Sequence, residues 1–128
     1  MNPVVHFEMP SEDMARTKKF YETVFDWNMN QMGAEMGNYL LAGTSPVDDK
    51  QMHINKGAIN GGFYPKGPNG TTTHVVISVP DIRKHIEIVK QNGGTVESEP
   101  IDIPGIGEYA MFKDTEGNRV GLLQPKGM

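Results

Sequence analysis

The sequence predicts an α+β fold made of two similar halves, each a strand, a helix and then three strands. His6 is followed seven residues later by Asp13, and His74 is followed seven residues later by Asp81. The two segments are offset by 68 residues, about half of the 128-residue chain. Apolar residues alternate at strand spacing before each Asp and recur at helical spacing after it. A fixed offset of this kind indicates an internal duplication.

The composition is that of a globular domain. Hydrophobic residues make up 37% and charged residues 22% of the chain, and the net charge is −4. We therefore expect no nucleic-acid or membrane partner, since both need a basic face. The sequence has no cysteine, which excludes disulfides and thiolate metal sites. No apolar run approaches the roughly 20 residues of a membrane span, and the N-terminus lacks signal-peptide features, so we expect a cytoplasmic protein.

The first half is predicted to occupy residues 1–65 of a single 128-residue domain. A strand over Val4–Met9 places His6 and Glu8 on the face opposite its apolar residues, and Pro10 is expected to end it. Ser11 is the predicted N-cap of the following helix. The remaining elements predicted here are the helix end near Phe25, strands at 27–31, 38–43 and 58–65, and a polar loop over 44–57.

The second half is predicted to occupy residues 73–128, after a linker at 66–72 that is rich in turn-forming residues. Its first strand, His74–Val79, carries His74 on the same face as Val76 and Ser78. Asp81 is expected to cap a helix that runs to about Asn92. The remaining predicted elements are strands at 95–103, 108–113 and 119–124, the last two joined by the hairpin turn Asp114–Asn118.

Three pieces of this sequence carry a resemblance to a known family. They are His6…Asp13-Met14…Phe20-Tyr21, its echo His74…Asp81-Ile82, and the closing Asp114-Thr-Glu-Gly-Asn118. Together they are similar to the vicinal oxygen chelate superfamily, which includes glyoxalase I, bleomycin-resistance proteins and extradiol dioxygenases. The resemblance implies tandem βαβββ modules that form a U-shaped mixed and antiparallel sheet around a cavity. It also implies a homodimer and, in the family's enzymes, a divalent metal that binds two adjacent oxygens of the substrate.

The metal site that the resemblance implies is incomplete in this chain. Metal-binding members take one ligand from the first strand and one from the last strand of each module, and His6 and His74 match the first-strand positions. The last-strand glutamate position is Gly121, and the matching segment 58–64 has no histidine or carboxylate. Two imidazoles fall short of the three protein ligands usual for catalytic zinc, and of the two histidines and one carboxylate of non-haem iron. We therefore expect no cofactor.

The first functional hypothesis is a metal-free protein that binds a small organic molecule. Glycine at position 121, with Gly61 and Gly62 in the other half, is expected to remove side chains and open volume for such a ligand. The side chains expected to line the cavity are His6, Glu8, Trp27, Tyr39, His74 and Tyr109.

The second hypothesis is a lyase, isomerase or dioxygenase that uses zinc, nickel, manganese or iron. His6 and His74 would be ligands, and Glu8 or Glu108 would complete the site or act as general base. A third interpretation leaves both histidines as hydrogen-bonded residues of the sheet without a functional role. Whether the chain is an enzyme stays open at this point. Trp27 is expected mainly to pack over the first helix, with ligand stacking as the alternative. His53 is expected to lie at the surface, and His85 is expected to face solvent or to pack against its neighbours rather than to be a ligand.

Overall fold

The computed structural model describes residues 1–68 and 70–127. Nine strands and two α-helices in this part of the chain confirm the α+β class. The chain divides into two compact units, His6–Thr73, here called the first module, and Met1–Val5 with residues 74–127, here called the second module. The predicted linker includes residue 69, and the predicted second half ends at residue 128; both residues lie outside the described part. None of the described helices is long and apolar enough to cross a membrane.

The first module is a mixed, open sheet covered by one helix. Its strand order is β2-β3-β4-β1, in which β1 and β4 are parallel and the other neighbours are antiparallel. A short 3₁₀ turn at Ala34–Met36 joins β2 to β3. The elements are β1 (Val4–Ser11), α1 (Met14–Phe25), β2 (Asn28–Gln31), β3 (Leu40–Gly43) and β4 (Asn60–Pro65).

Helix α1 starts later than the sequence suggested. Strand β1 continues through Pro10 to Ser11, so the prediction that Pro10 ends the strand is wrong. The N-cap is Asp13, whose carboxylate accepts the Arg16 N–H at 3.0 Å. The prediction that Ser11 caps the helix is wrong, because Ser11 is still part of strand β1. Its hydroxyl is hydrogen-bonded to the Thr17 hydroxyl at 2.7 Å.

One face of the first-module sheet packs against α1. Its buried centre consists of Met29, Leu40, Ala42 and Phe63, with partly buried neighbours that include Phe7, Met9, Tyr21 and Trp27. Because successive strand residues point to opposite faces, His6 and Glu8 lie on the other face. That second face carries the polar residues of the candidate site.

The second module repeats this plan. Its strand order is β5-β9-β8-β6, with β7 also paired to β8, and β5 is parallel to β9. The predicted strand 95–103 is two short strands, because residues 97–100 between them, which end at Pro100, are not paired as a strand. The elements are β5 (His74–Ser78), α2 (Ile82–Gln91), β6 (Thr95–Val96), β7 (Ile101–Ile103), β8 (Gly107–Lys113) and β9 (Arg119–Pro125).

Helix α2 is capped as predicted, since the Asp81 carboxylate accepts the Lys84 N–H at 3.2 Å. It covers a core of Val79, Ile82, Ile86, Ala110 and Leu122.

The hairpin between β8 and β9 is fixed by Asp114, whose carboxylate accepts hydrogen bonds from the N–H groups of Glu116 and Asn118 at 2.8 and 2.9 Å. Hydrogen bonds to the Asp114 carboxylate lower its pKa. The largest contribution comes from the hydrogen bond that the Asn118 side chain donates.

Candidate functional site

His6 is hydrogen-bonded to the side chain of Tyr39. The His6 Nε2 atom lies 2.9 Å from the Tyr39 hydroxyl, and the two rings lie nearly parallel, with centroids 6.3 Å apart and planes 23° apart. Tyr39 immediately precedes β3, and His6 lies opposite Asn60 of β4. A hydrogen bond between the phenol and the imidazole holds the histidine ring in one orientation, whichever of the two groups donates the proton.

The Tyr39 ring also covers Gly62 of β4. A Cβ atom built on Gly62 would collide with the ring and hydroxyl of Tyr39. Gly62 is paired with Glu8 of β1 on one side and with Leu41 of β3 on the other, so it lies on the face that carries His6. Glycine is therefore required at this strand position because an aromatic ring takes the side-chain space.

The same arrangement occurs in the second module. A Cβ atom on Gly121 would stand 2.7 Å from the Tyr109 hydroxyl and 3.0 Å from two of its ring carbons. Tyr109 lies two residues before Met111, which is paired with Gly121, just as Tyr39 lies two residues before the partner of Gly62. The Tyr109 hydroxyl donates to the Met111 Sδ at 2.8 Å. We refer to Tyr39/Gly62 and Tyr109/Gly121 as the tyrosine–glycine pairs.

These pairs correct one expectation from the sequence. The glycines at 61, 62 and 121 were expected to open volume for a ligand. That expectation is wrong, because each space is filled by an aromatic ring, from Phe7 at Gly61, from Tyr39 at Gly62 and from Tyr109 at Gly121.

The first module does contain an open volume, and Gly61 is among the residues that border it. A cavity of about 700 Å³ lies against β2, β3 and β4, the end of α1 and the loop that follows β3. This size falls within the roughly 300–1,000 Å³ of small-molecule sites. Its polar lining residues are His6, Asp26, Asn28, Asn30, Thr44, Ser45, Gln51 and Asn60, and its other lining residues are Phe25, Leu41, Ala42, Gly43, Pro46, Val47 and Gly61.

The wall after β3 is fastened to β4 by hydrogen bonds. The Thr44 N–H donates to the Asn60 Oδ1 at 2.9 Å, and the Thr44 hydroxyl donates to the Ile59 carbonyl. The amide of Asn60 is thereby oriented at the cavity wall. Sequence reasoning missed Asn28, Asn30 and Thr44. The alternation Asn-Met-Asn in β2, with Met29 buried, was the signal that could have placed the two asparagines on the outward face.

The predicted cavity residues of the first half have different surroundings. His6 lines the cavity, and Tyr39 bonds to it. Glu8 is partly buried on the same strand face as His6. Trp27 lies on the core side, with its ring stacked on Tyr21 at 4.8 Å and 14°, and it is not among the residues that line the cavity.

The predicted residues of the second half are also spread over two faces. His74 is 7% exposed at the start of β5. Glu108 bonds the Arg83 guanidinium of α2 at 3.0 Å, on the face opposite Tyr109 because the two are adjacent in β8. Of the remaining histidines, His85 Nε2 lies 3.1 Å from the Asn2 amide and His53 lies in the loop bridged to Val47.

An ion pair stabilises the far end of the second-module sheet. The Arg119 side chain bonds Glu97 through Nε at 2.9 Å and through Nη2 at 3.0 Å. The hydrogen bond from Arg119 is the main cause that lowers the pKa of Glu97, against a smaller opposing effect of burial, and His74 contributes a minor electrostatic part.

The donor groups present do not fit the metal that the family's enzymes hold. Within residues 1–68 and 70–127, no group of three or more histidine or carboxylate side chains is arranged to hold a metal ion. In the first module the Tyr39 hydroxyl bonds the His6 nitrogen and its ring covers Gly62. In the second, Tyr109 covers the position of the expected glutamate. A phenol is a far weaker ligand than a carboxylate at neutral pH, because its pKa is near 10.

The fold is α+β and consists of two modules that each begin with a strand and a helix and continue with further strands, and a cavity of about 700 Å³ lies in the first module. The model of the Glyoxalase/Bleomycin resistance protein/Dioxygenase superfamily matches residues 4–122. A glyoxylase-like domain-containing protein of Didymella fabae is 31% identical over 128 residues, covering 94% of this chain and 91% of that protein. The chain belongs to this superfamily, which confirms the vicinal oxygen chelate resemblance.

Solved structures with the same fold come from distant relatives. A hypothetical protein of Bacillus halodurans C-125 has a TM-score of 0.69 and 17% identity, covering 99% of this chain and 96% of its own. A variant methylmalonyl-CoA epimerase of Streptomyces coelicolor in complex with 2-nitronate-propionyl-CoA has a TM-score of 0.69 and 16% identity, covering 100% and 97%. The epimerase of Mycobacterium tuberculosis has a TM-score of 0.68 and 11% identity, covering 95% and 87%. At these identities the likeness shows the fold alone.

Proposed function

We propose that this protein binds a small organic molecule in the first-module cavity without the metal of the family's enzymes. The observation that carries the proposal is the placement of Tyr39. Its hydroxyl bonds the His6 nitrogen, and its ring takes the side-chain space at Gly62. The first-strand histidine is thereby engaged by the protein itself, beside a cavity of about 700 Å³.

The lining of the cavity suits a ligand held by hydrogen bonds and apolar contact. Amide groups of Asn28, Asn30 and Asn60 can each donate and accept, and Leu41 and Val47 add apolar surface. A few polar groups on a partly apolar wall are typical of small-molecule sites. Asp26 is the one carboxylate of the described lining, and it belongs to no described group of three or more histidine, aspartate or glutamate side chains that could hold the metal which the alternative, a metal-dependent lyase, isomerase or dioxygenase, would use.

The protein is also proposed to form a homodimer. Strand β2 ends the sheet of the first module and β6 ends that of the second, and open sheet edges are normally covered or blunted. Exposed apolar side chains on α1, with Phe20 and Val24 both at 53%, provide surface that an association would bury. Sedimentation equilibrium at micromolar concentration tests this, and a monomer there would contradict it.

A fragment screen followed by ¹H–¹⁵N NMR tests the binding proposal. Protein stripped of metal with a chelator is expected to show fragment-induced shifts at the amides of Gly43 and Thr44. Asn30→Phe places a large ring at the cavity wall and is expected to abolish those shifts, whereas Thr95→Phe, on exposed strand β6 of the second module, leaves them unchanged. Shifts that persist in Asn30→Phe, or that require added metal, would overturn the proposal.

A further inference from the structure

We infer that the first-module cavity selects an organic cation, an ammonium or guanidinium group on an apolar body, over neutral and anionic molecules. This inference rests on the proposed function, because it names the class of ligand for the same cavity. It depends on three features that meet at the end of α1: one carboxylate without a cationic neighbour in the cavity wall, the carbonyl end of the helix, and an exposed aromatic ring.

Asp26 is the only carboxylate among the described residues that line the cavity, and none of them is a lysine or an arginine. The other titratable group of that lining is His6, whose Nε2 atom is hydrogen-bonded to the Tyr39 hydroxyl. Within the described chain, the Asp26 carboxylate makes no ion pair, and Asp26 is exposed. A cationic ligand would therefore meet an available opposite charge, whereas an anion would meet only repulsion from the same group.

The backbone adds negative potential at the same place. Asp26 is the C-cap of α1, with φ 58° and ψ 32°, and its N–H bonds the carbonyls of Tyr21 and Glu22. The last carbonyls of a helix carry a partial negative charge that cations stabilise. The last turn of α1 contains no basic residue, so the protein does not supply that cation itself.

Phe25, the residue before Asp26, supplies an aromatic ring to the same cavity. Phe25 lines the cavity and is 55% exposed. The face of an aromatic ring attracts ammonium and guanidinium groups. The amides and hydroxyls of Asn28, Thr44 and Ser45 can accept further N–H donors from such a group.

The same features argue against phosphate-bearing ligands. The solved epimerase complexes hold a CoA ester, and phosphate groups in proteins are usually bound by arginine, lysine or helix N-termini. The described lining of this cavity offers a helix C-terminus and no lysine or arginine. CoA esters are therefore not expected to bind in this cavity.

Three probes of matched shape test the inference: benzylammonium, benzyl alcohol and benzoate. Each is titrated into ¹⁵N-labelled protein at low ionic strength while the amides of Gly43 and Thr44 are followed. We expect benzylammonium to bind about three- to tenfold more tightly than benzyl alcohol, the range for one exposed charge and a helix terminus, and benzoate to bind more weakly than both. The preference for benzylammonium should shrink in 0.5 M salt, because the carboxylate is exposed and the Debye length at that salt concentration is below about 8 Å.

Two variants separate the site from the general charge of the protein. Asp26→Asn keeps a residue that tolerates the left-handed conformation, so it should fold normally and clearly reduce the benzylammonium preference, leaving only the part due to the helix end and the Phe25 ring. Asp49→Asn removes the same charge from an exposed residue that does not line the cavity and should leave the preference intact.

The inference is overturned if benzyl alcohol or benzoate binds as tightly as benzylammonium, or if Asp26→Asn keeps the full preference. Cavity shifts by those two probes without any cation preference would leave the proposed function standing. If none of the three probes shifts the cavity amides, the inference falls, and the fragment screen with Asn30→Phe then decides the proposed function separately.

Discussion

The Tyr109 hydroxyl lies 2.7 Å from the point where a Cβ atom of Gly121 would stand. In the metal-binding members that this chain resembles, the corresponding position holds a glutamate ligand. Here the tyrosine ring takes its space, and Tyr39 does the same at Gly62 in the other module. A tyrosine ring therefore takes the side-chain space of a strand glycine once in each module.

Gly121→Ala is expected to destabilise the protein by about 1–3 kcal/mol, the usual cost of overpacking a well-filled region. The added methyl group would force the Tyr109 ring and hydroxyl to move. Urea denaturation measures the change in the free energy of unfolding.

A double-mutant cycle provides the control for that prediction. In a Tyr109→Leu background the space above residue 121 is emptied, so Gly121→Ala should cost distinctly less there than in the wild type. An equal cost in both backgrounds would show that Tyr109 does not occupy this space. Gly43→Ala, whose Cβ would be 3.3 Å from its nearest neighbour atom, is the matched mild substitution.

Tyr39→Phe should reduce stability by about 0.5–1.5 kcal/mol, because it removes the hydroxyl that bonds the His6 nitrogen while the ring stays over Gly62. The ¹⁵N chemical shifts of the His6 ring should change at the same time, because the hydroxyl bonded to its Nε2 atom is gone. Unchanged His6 shifts would contradict the hydrogen bond.

The Glu97–Arg119 pair should make stability depend on pH. Hydrogen bonding to Arg119 holds the pKa of Glu97 below its ordinary value of 4.5. A depressed carboxyl pKa contributes stability that is complete above the unfolded value and is lost as pH falls through the folded value. Glu97→Gln should therefore be less stable than wild type near pH 7, by up to about 1 kcal/mol for a partly exposed pair.

The stability difference between wild type and Glu97→Gln should disappear as pH falls from 4.5 through the lowered pKa of Glu97. The wild-type carboxyl is then protonated and, like the glutamine amide, carries no charge. Urea denaturation at pH 7 and pH 3 measures it. Glu87→Gln is the control, since Glu87 is 65% exposed and pairs with Lys90 at 3.5 Å, so it should cost little at either pH. A Glu97→Gln difference that persists at pH 3 would exclude the ion pair as its cause.

The chain is also expected not to convert the hemithioacetal of methylglyoxal and glutathione to lactoylglutathione. That reaction needs a metal to hold the neighbouring oxygens and a carboxylate as base. Gly121 has no side chain, and Asn60 is neutral. Incubation with excess nickel, zinc, manganese or iron, followed by an assay for lactoylglutathione, measures this. Robust turnover with any one of them would contradict the metal-free account.

The fold was predictable from the sequence because its signals are local. Asp81 and the Asp114–Asn118 turn act through hydrogen bonds within a few residues, and alternation identified the faces of β1 and β5. Element ends were less predictable. Pro10 was expected to end β1, but proline can occupy a strand where its missing N–H is not needed.

The candidate site was only partly predictable, because its residues meet through sheet register. His6 was identified by pattern, but the contact of Tyr39 with Gly62 depends on the pairing of β3 with β4. In the sequence, a glycine indicates only that no side chain is present. The strand register is needed to show which neighbouring ring occupies the space where that side chain would be. Trp27 could not be placed from the sequence either, because an aromatic residue suits both a cavity and a core. The structure places it on the core side, where its ring stacks on Tyr21.

Calorimetric titration of zinc or nickel into chelator-treated protein decides whether the chain binds a metal. We expect no stoichiometric binding for the wild type and for His6→Ala alike, because Tyr39 bonds the His6 nitrogen and aromatic rings fill the side-chain space at Gly62 and Gly121. Saturable binding of one metal ion per chain that is lost in His6→Ala would contradict this expectation.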